Sequence, residues 1–332
     1  MALVLAGAGG VAASSAGTKA KAAKVQTISE IDTTPGLSEL AINVTELDTA
    51  QQHNLIVSPD DVTGSAAAVQ EFAGGTGDQL AGGFDENVTL YQKGLAQTTI
   101  VGTVLATNVW VLVSLKGSPY TTLASLAGQN VGISAIGAVS QYGLYYGLDQ
   151  AGLSPTSLNY VALGGPATEL AGLEAGTVKA AVLVAPNLQD AESAGTIQTV
   201  YSMTSQPYAA NVIAVRNSYL ATHQVAVCNY MLALQQAQTK IYSQPNWALA
   251  EAANLYGSST SAADIKTSVD AFESAGTWPK VNSFPLSLYT SSKAILLDSG
   301  FSATGFPTYK QLTSHRPTQI VKVKGKRVRE AC

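Results

Sequence analysis

Three short apolar runs, at 131–134, 159–163 and 180–185, alternate with two segments, 139–150 and 167–175, whose apolar residues recur at helical spacing. Strand-like and helix-like pieces alternating at this pitch argue for a parallel sheet covered by helices. Each run stops in small or rigid residues: Ser134-Ala135-Ile136-Gly137-Ala138, then Gly164-Gly165-Pro166, then Pro186-Asn187. Open parallel sheets bind ligands beyond the carboxyl ends of their strands, so these three loops are expected to share one rim.

The same alternation begins earlier. Residues 25–31 read as a strand broken by Asp32-Thr33-Thr34-Pro35-Gly36, after which Leu37, Leu40, Ala41, Val44 and Leu47 recur at helical spacing. A helix is expected at 65–72, closed by Gly74-Gly75, and a short strand at 78–81 that runs into Gly82-Gly83. Residues 97–105 and 109–113 are β-rich, and Lys116-Gly117-Ser118-Pro119 separates them from the central unit. Beyond that unit, 211–215 is β-like, while 224–243, 247–256, 262–275 and 285–297 are helical. Helices gathered after a finished sheet suit a chain that leaves its first lobe near Val113 and re-enters it near Val215. The expected division is 25–113 with 215–332 as one lobe, 114–214 as the other, and 1–24 as a signal remnant or linker.

Composition narrows the function classes. A chain of 332 residues that is 46% hydrophobic can fill two cores. Mean hydropathy is +0.15, yet no uninterrupted apolar run reaches 18 residues, so no membrane-spanning helix is expected. A net charge of −4 makes no case for nucleic acid. Arg316, Lys322, Lys324, Lys326, Arg327 and Arg329 crowd the last 17 residues, read as a solvated tail or a contact with an anionic surface or partner. The two cysteines, Cys228 and Cys332, are too few for a zinc site or disulfide framework, and Cys228 is expected as a buried small apolar residue. His53, His223 and His315 have no metal-ligand spacing, and neither a nucleophile elbow nor a P-loop is present. No enzyme, metal or cofactor site is signalled.

Four segments carry a family resemblance. Leu123-Ala124-Ser125-Leu126-Ala127-Gly128-Gln129-Asn130-Val131-Gly132-Ile133, Ala151-Gly152-Leu153-Ser154-Pro155, Leu163-Gly164-Gly165-Pro166-Ala167 and Leu173-Glu174-Ala175-Gly176-Thr177-Val178-Lys179-Ala180-Ala181-Val182 follow in order. They resemble segments of type II periplasmic solute-binding proteins, in particular the nitrate/sulfonate/taurine and thiamine-precursor binding group. Residues 109–118 and 211–219 resemble that family's crossovers. The resemblance implies an α/β fold of two doubly wound lobes joined by two crossover strands, closing on a small-molecule ligand. It further implies a monomer that delivers this ligand to an ABC transporter permease on the outer face of a bacterial cytoplasmic membrane, with no cofactor. The leader is similar to the end of a secretory signal, and Leu5-Ala6-Gly7-Ala8-Gly9-Gly10 resembles a lipoprotein cleavage box with Ala8 where the lipid-bearing cysteine would stand, which would mean a lipid anchor; chance likeness in an Ala/Gly-rich leader is the alternative. Enzymes on the same fold, of the menaquinone pathway or of pyrimidine-precursor synthesis, are the other reading. The latter would need a cysteine-rich iron motif that two cysteines do not make.

Candidate ligand residues follow from the loops. Ser134, Gly137 and Ser140 precede a helix whose N–H groups would favour an anionic group, or Gly137 serves a tight turn and Ser140 a cap. Gly164 and Gly165 either admit a ligand close to the backbone or permit the turn into Pro166. Asn187 offers both donor and acceptor, or caps a helix. Tyr142 would form an aromatic wall, or at its helical spacing from Tyr145 and Tyr146 belongs to core or surface. In the opposite lobe stand Thr33, Thr34, Ser65, Asn108, Phe84 and Asp85; Phe84 either stacks on a flat ligand or is core, and Asp85 either holds an amine or hydroxyl or caps its helix. None of these rim loops contains Lys or Arg. A monoanion held by N–H dipoles, such as a sulfonate or an aromatic carboxylate, therefore ranks first, and a heterocycle second.

Overall fold

The structure is a computed structural model. It describes residues 25–33, 36–62, 64–315, 317–323 and 326–331, the chain from 318 onward as backbone. The leader 1–24, Thr34, Arg316, Lys324 and Cys332 lie outside the described residues, so the signal, lipid-box and Thr34 expectations do too.

Ten strands form two five-stranded sheets. The first contains β1 (Gln26–Asp32), β2 (Leu55–Asp61), β3 (Gln79–Gly82), β4 (Thr98–Leu105) and, from much later in the chain, β10 (Asn211–Arg216), in the order β2-β1-β3-β10-β4. The second contains β5 (Val111–Leu115), β6 (Asn130–Ile133), β7 (Asn159–Ala162), β8 (Ala180–Leu183) and β9 (Ile197–Ser202), in the order β7-β6-β8-β5-β9. In each sheet the first three strands are parallel, and the strand arriving from the other sheet runs antiparallel to its neighbours. The α/β fold with two mixed sheets agrees with the expectation from sequence. β5 and β10 change sheets earlier than expected, however: the chain crosses at 106–110 and returns at 203–210. The continuous apolar run through Val109 and Val113 hides this change, because Val109, Trp110 and Val111 are all buried.

The two crossings are tied together. Asn108, fully buried, donates from its backbone N–H to the Gln206 carbonyl at 3.1 Å and from Nδ2 to Gln206 Oε1 at 3.1 Å, and its Oδ1 accepts the Trp110 N–H at 3.1 Å. Met203 N–H donates to the Trp110 carbonyl at 3.0 Å. The helix Val139–Gln150 leans on this knot through Gly143 and Gly147. A Cβ on Gly143 would overlap Met203 Sδ and one on Gly147 the Tyr201 ring, so the four-residue glycine spacing brings the helix close.

The late helices cover the first sheet and touch the second lobe at two places. Phe301 follows the helix Leu286–Asp298 and meets Tyr142 edge to face with centroids 5.3 Å apart. Helix Ala262–Ala275 meets helix Asn187–Ser193, where Ser193 Oγ donates to Asp264, and Thr260 Oγ1 donates to Asp190 Oδ2 at 3.2 Å. Among the described residues no helix is long and apolar enough to cross a membrane. Two expectations change at the end of the chain. Thr318–Val323 and Lys326–Ala331 pair as an antiparallel hairpin instead of a loose tail. Cys228 is buried as expected, but it is disulfide-bonded rather than a free apolar filler.

Candidate functional site

Six strand ends converge. Thr33 follows β1, Gly64 and Ser65 follow β2, and Gly83 follows β3; Ser134 follows β6, Gly164 and Gly165 follow β7, and Ala185 to Asn187 follow β8. All of them line cavities between the two sheets. Gly64 lies so near the opposite rim that its Cβ would be 3.7 Å from the Gly164 carbonyl oxygen. The cleft is thus closed, and what remains open has three parts.

A small inner cavity of about 40 Å³ is lined by Thr33, Ser38, Glu39, Ser65, Glu86 and Asn211 from the first sheet, with Ser134 and Val184 from the second. A wider cavity of about 510 Å³ joins it at Gly64, Trp110, Ser134 and Val184; its wall is mostly apolar, from Trp110, Leu163, Pro166, Ala185 and Pro186, with Asn187 at its edge. An outer cavity of about 570 Å³ joins the inner one at Ser65 and Glu86, and is lined by Asp85, Gly137, Gln141, Tyr142, Tyr145 and Phe301.

Local sequence explains the inner cavity. Gly82-Gly83 ends β3, and a Cβ on Gly82 would overlap Glu86 Oε2, one on Gly83 the Asp85 carboxylate. The two glycines let both carboxyls fold back on the strand end. Glu86 is hydrogen-bonded by Ser65, while its Oε2 has no partner. Asn211 opens β10 and donates from Nδ2 to Glu39 Oε2 at 3.1 Å, which leaves its own Oδ1 without a partner. Burial, reinforced by Asp32 and other nearby carboxyls, holds Glu39 well above the ordinary carboxylate range; burial and then Asp85 do the same for Glu86. Asp85 is pushed up to about 6 by burial, against the hydrogen bond that Tyr208 OH donates to Oδ1 at 2.9 Å.

Behind the cavity more carboxyls gather. Burial raises Glu30, and burial with the neighbouring Glu30 raises Glu46 to about 10. Among the described residues no lysine or arginine lines the inner or the wider cavity, and Lys93, on the outer one, is exposed. At an effective dielectric of ~20, unit charges ~4 Å apart interact by ~4 kcal/mol, so the sign of a charge placed beside Glu39 and Glu86 decides whether their ionisation is favoured or opposed. Among the described residues no group of three or more His, Cys, Asp or Glu side chains is placed to hold a metal ion.

Of the residues expected from sequence, Thr33, Ser65, Ser134, Gly164, Gly165 and Asn187 line the inner or the wider cavity, and Asp85, Gly137 and Tyr142 the outer one. Three do not line any of them. Phe84 is fully buried among Tyr208, Phe284, Tyr289 and Phe306, because it begins a helix on the side of the sheet that the late helices cover. Asn108 serves the crossing knot described above. Ser140 is fully buried and holds Ser134 Oγ at 2.7 Å, acting on the rim through its neighbour. The N–H of Gly137, expected to face a ligand, donates instead to Gln141 Oε1 at 2.7 Å. Glu39, Trp110 and Asn211 were not anticipated. An acidic residue inside an apolar helical run, as Glu39 is at Leu37-Ser38-Glu39-Leu40-Ala41, was the available signal.

Comparison with known proteins follows this geometry. The sulfonate-binding protein SsuA of Escherichia coli superposes with a TM-score of 0.67 at 18% identity, covering 86% of this chain and 96% of that one. The alkanesulfonate-binding SsuA of Xanthomonas axonopodis pv. citri, bound to MOPS, gives 0.69 at 16% identity over 86% and 96%. The nitrate-binding protein NrtA of Synechocystis PCC 6803 gives 0.66 at 11% identity over 87% and 84%. These likenesses show the periplasmic-binding-protein fold. A comparison with curated proteins finds no sequence match. The family model described as NMT1/THI5 like matches residues 51–248, more than half of the chain, and the chain therefore belongs to the NMT1/THI5-like family.

Proposed function

We propose that this chain is an extracytoplasmic solute-binding receptor of an ABC importer, which captures a small organic ligand between two lobes and presents the closed form to a permease. The observation that carries this reading is the convergence of six strand-end loops, three from each sheet, on one connected set of cavities. Such a cleft suits a small molecule, since a mostly apolar wall buries its body and a few polar groups orient it. The sulfonate- and nitrate-binding neighbours support the same reading.

Thr33, Ser65, Ser134, Gly164, Gly165 and Asn187 are the rim residues that would touch the ligand. The Asn108–Gln206 knot is the hinge, since both crossings pass through it. Opening pulls Gly64 from Gly164 and breaks the Tyr142–Phe301 and Ser193–Asp264 contacts; a ligand touching both rims offsets that by favouring the closed form.

A ligand screen by thermal shift, with small-angle scattering of each hit, tests this. A compound at a hundred times its Kd stabilises the native state by about 2.7 kcal/mol. The expected result is a raised melting temperature, a smaller radius of gyration and unchanged compound after incubation. Consumption of the compound would replace the receptor reading with an enzymatic one.

A further inference from the structure

The inner cavity is built to accept hydrogen bonds. Glu39, Glu86 and Asn211 are among its lining residues, and Asn211 spends its Nδ2 donor on Glu39, so that its Oδ1 is the atom left over. Two of these acceptors, Glu86 Oε2 and Asn211 Oδ1, are without partners on side chains no more than 3% exposed. A buried acceptor without a donor is costly, and a ligand that supplies the donor relieves that cost. The Thr33 hydroxyl donates to the Ala81 carbonyl at 3.3 Å and the Ser65 hydroxyl to Glu86, so neither adds a free donor to the cavity.

From this geometry we infer that the ligand is a small amphipathic organic cation, whose ammonium group enters the inner cavity between Glu39 and Glu86 while its apolar body lies against Trp110 in the wider cavity. The inference rests on the receptor reading and adds the ligand class. Size agrees with it. About 40 Å³ admits a group near the size of one water molecule, such as a primary ammonium, and about 510 Å³ admits the rest of a small molecule. It also reverses the ranking that the sequence suggests. A sulfonate or carboxylate in the inner cavity would meet acceptor oxygens on Glu39, Glu86 and Asn211, with no lysine or arginine beside it. Protonated carboxyls could donate one hydrogen each, but their carbonyl oxygens and the Asn211 Oδ1 would still face the anion.

The test compares ligands matched in body and opposite in charge on the full chain. Hexylammonium and phenethylammonium are set against hexanoate and hexane-1-sulfonate, by thermal shift and calorimetry at neutral pH. Expected are binding of the ammonium compounds and, at equal concentration, none of the anions. Glu39→Gln and Glu86→Gln keep shape and remove the capacity to ionise against an ammonium; each is expected to weaken ammonium binding at least tenfold without lowering the melting temperature of the free protein. The matched comparison needs no variant, so it holds even where a substitution upsets folding. Anion binding without ammonium binding would overturn the cation inference and leave the receptor reading standing. So would ammonium binding that both glutamine variants retain at full strength. If neither class binds at millimolar concentration, the cation inference falls and the receptor reading is decided by the ligand screen alone.

Discussion

The sheets containing β1 and β6 share one strand order, yet they offer the cleft opposite chemistry. The rim after β6, β7 and β8 is made of glycine, serine, proline and asparagine and carries no charge. The rim after β1, β2 and β3 carries Glu39, Asp85 and Glu86, with Asp32, Glu30 and Glu46 behind them. An identical topology therefore says where a ligand sits and nothing about what it is. The uncharged rim gives shape and backbone approach; the acidic rim decides the sign of the charge that enters. Buried carboxyls without cations are expensive, several kcal/mol each if ionised, and such cost is tolerated where it serves a site.

The strongest way to break this comparison is to stop the two rims from meeting. Gly64 stands at φ +88° against Gly164, so Gly64→Trp places a large side chain in the closing gap. Ligand affinity should fall at least a thousandfold, with loss of the ligand-induced compaction in scattering, while the free protein loses about 1–3 kcal/mol for a side chain at a backbone conformation, ψ +146°, that glycine alone adopts readily.

The second separates burial cost from clustering. Glu169 is a fully buried carboxyl on the helix that follows β7, both its oxygens lack partners, and burial pushes it up to about 8. Because the folded state holds this proton above the unfolded value of 4.5, raising the pH through that window ionises the unfolded chain first and lowers stability. Glu169→Gln should gain close to nothing at pH 4.5 and about 4 kcal/mol at pH 8, read from urea unfolding at both pH values.

A smaller effect concerns protons at the acidic rim. Glu39 and Glu86 are held protonated well above the usual range by burial, beside Asp32 and Glu30 on β1 and Asp85 on the helix after β3, with Asn211 on β10 and Ser65 as hydrogen-bond partners. An entering ammonium favours their ionised forms, so binding releases protons and affinity rises with pH, by up to about tenfold per unit for each proton released. Calorimetry in buffers of different ionisation enthalpy measures that release. Proton uptake would assign the acidic rim a different role.

The smallest expected effect is at the closure contact. Ser193→Ala removes the hydroxyl that donates to Asp264 and should weaken binding about two- to fivefold, equivalent to less than about 1 kcal/mol, through a less favoured closed form.

Much of this molecule was legible along the chain, and the misses share a cause. Helices Val139–Gln150, Gln224–Ser243 and Ala262–Ala275 stand where their periodicity put them. β2 and β9 escaped notice because each is an edge strand with little buried apolar sequence, unlike the more apolar edge strand β4. β2 carries Pro59, Asp60 and Asp61 and is buried mainly at Leu55 and Val57, and β9 is fully buried only at Ile197. An edge strand needs only one paired side, which tolerates proline and weakens the hydrophobic signal. Phe84 was ambiguous for a related reason, since an aromatic residue after a glycine pair suits a rim or a core equally until its neighbours are known.

The order of strands, helices and small-residue loops determined the α/β architecture and the family, because hydrophobic period and glycine placement are local properties. The loops that become the rim could also be named, since they follow directly from where strands stop. Tertiary structure alone decided the rest: Glu39 from an early helical turn, Glu86 behind a glycine pair and Asn211 from a strand more than a hundred residues later meet in one cavity. The meaning of a carboxyl depends on which charges lie within a few ångströms, and here the answer is set by a sheet that the chain leaves and re-enters, bringing acceptors together with no cation among them.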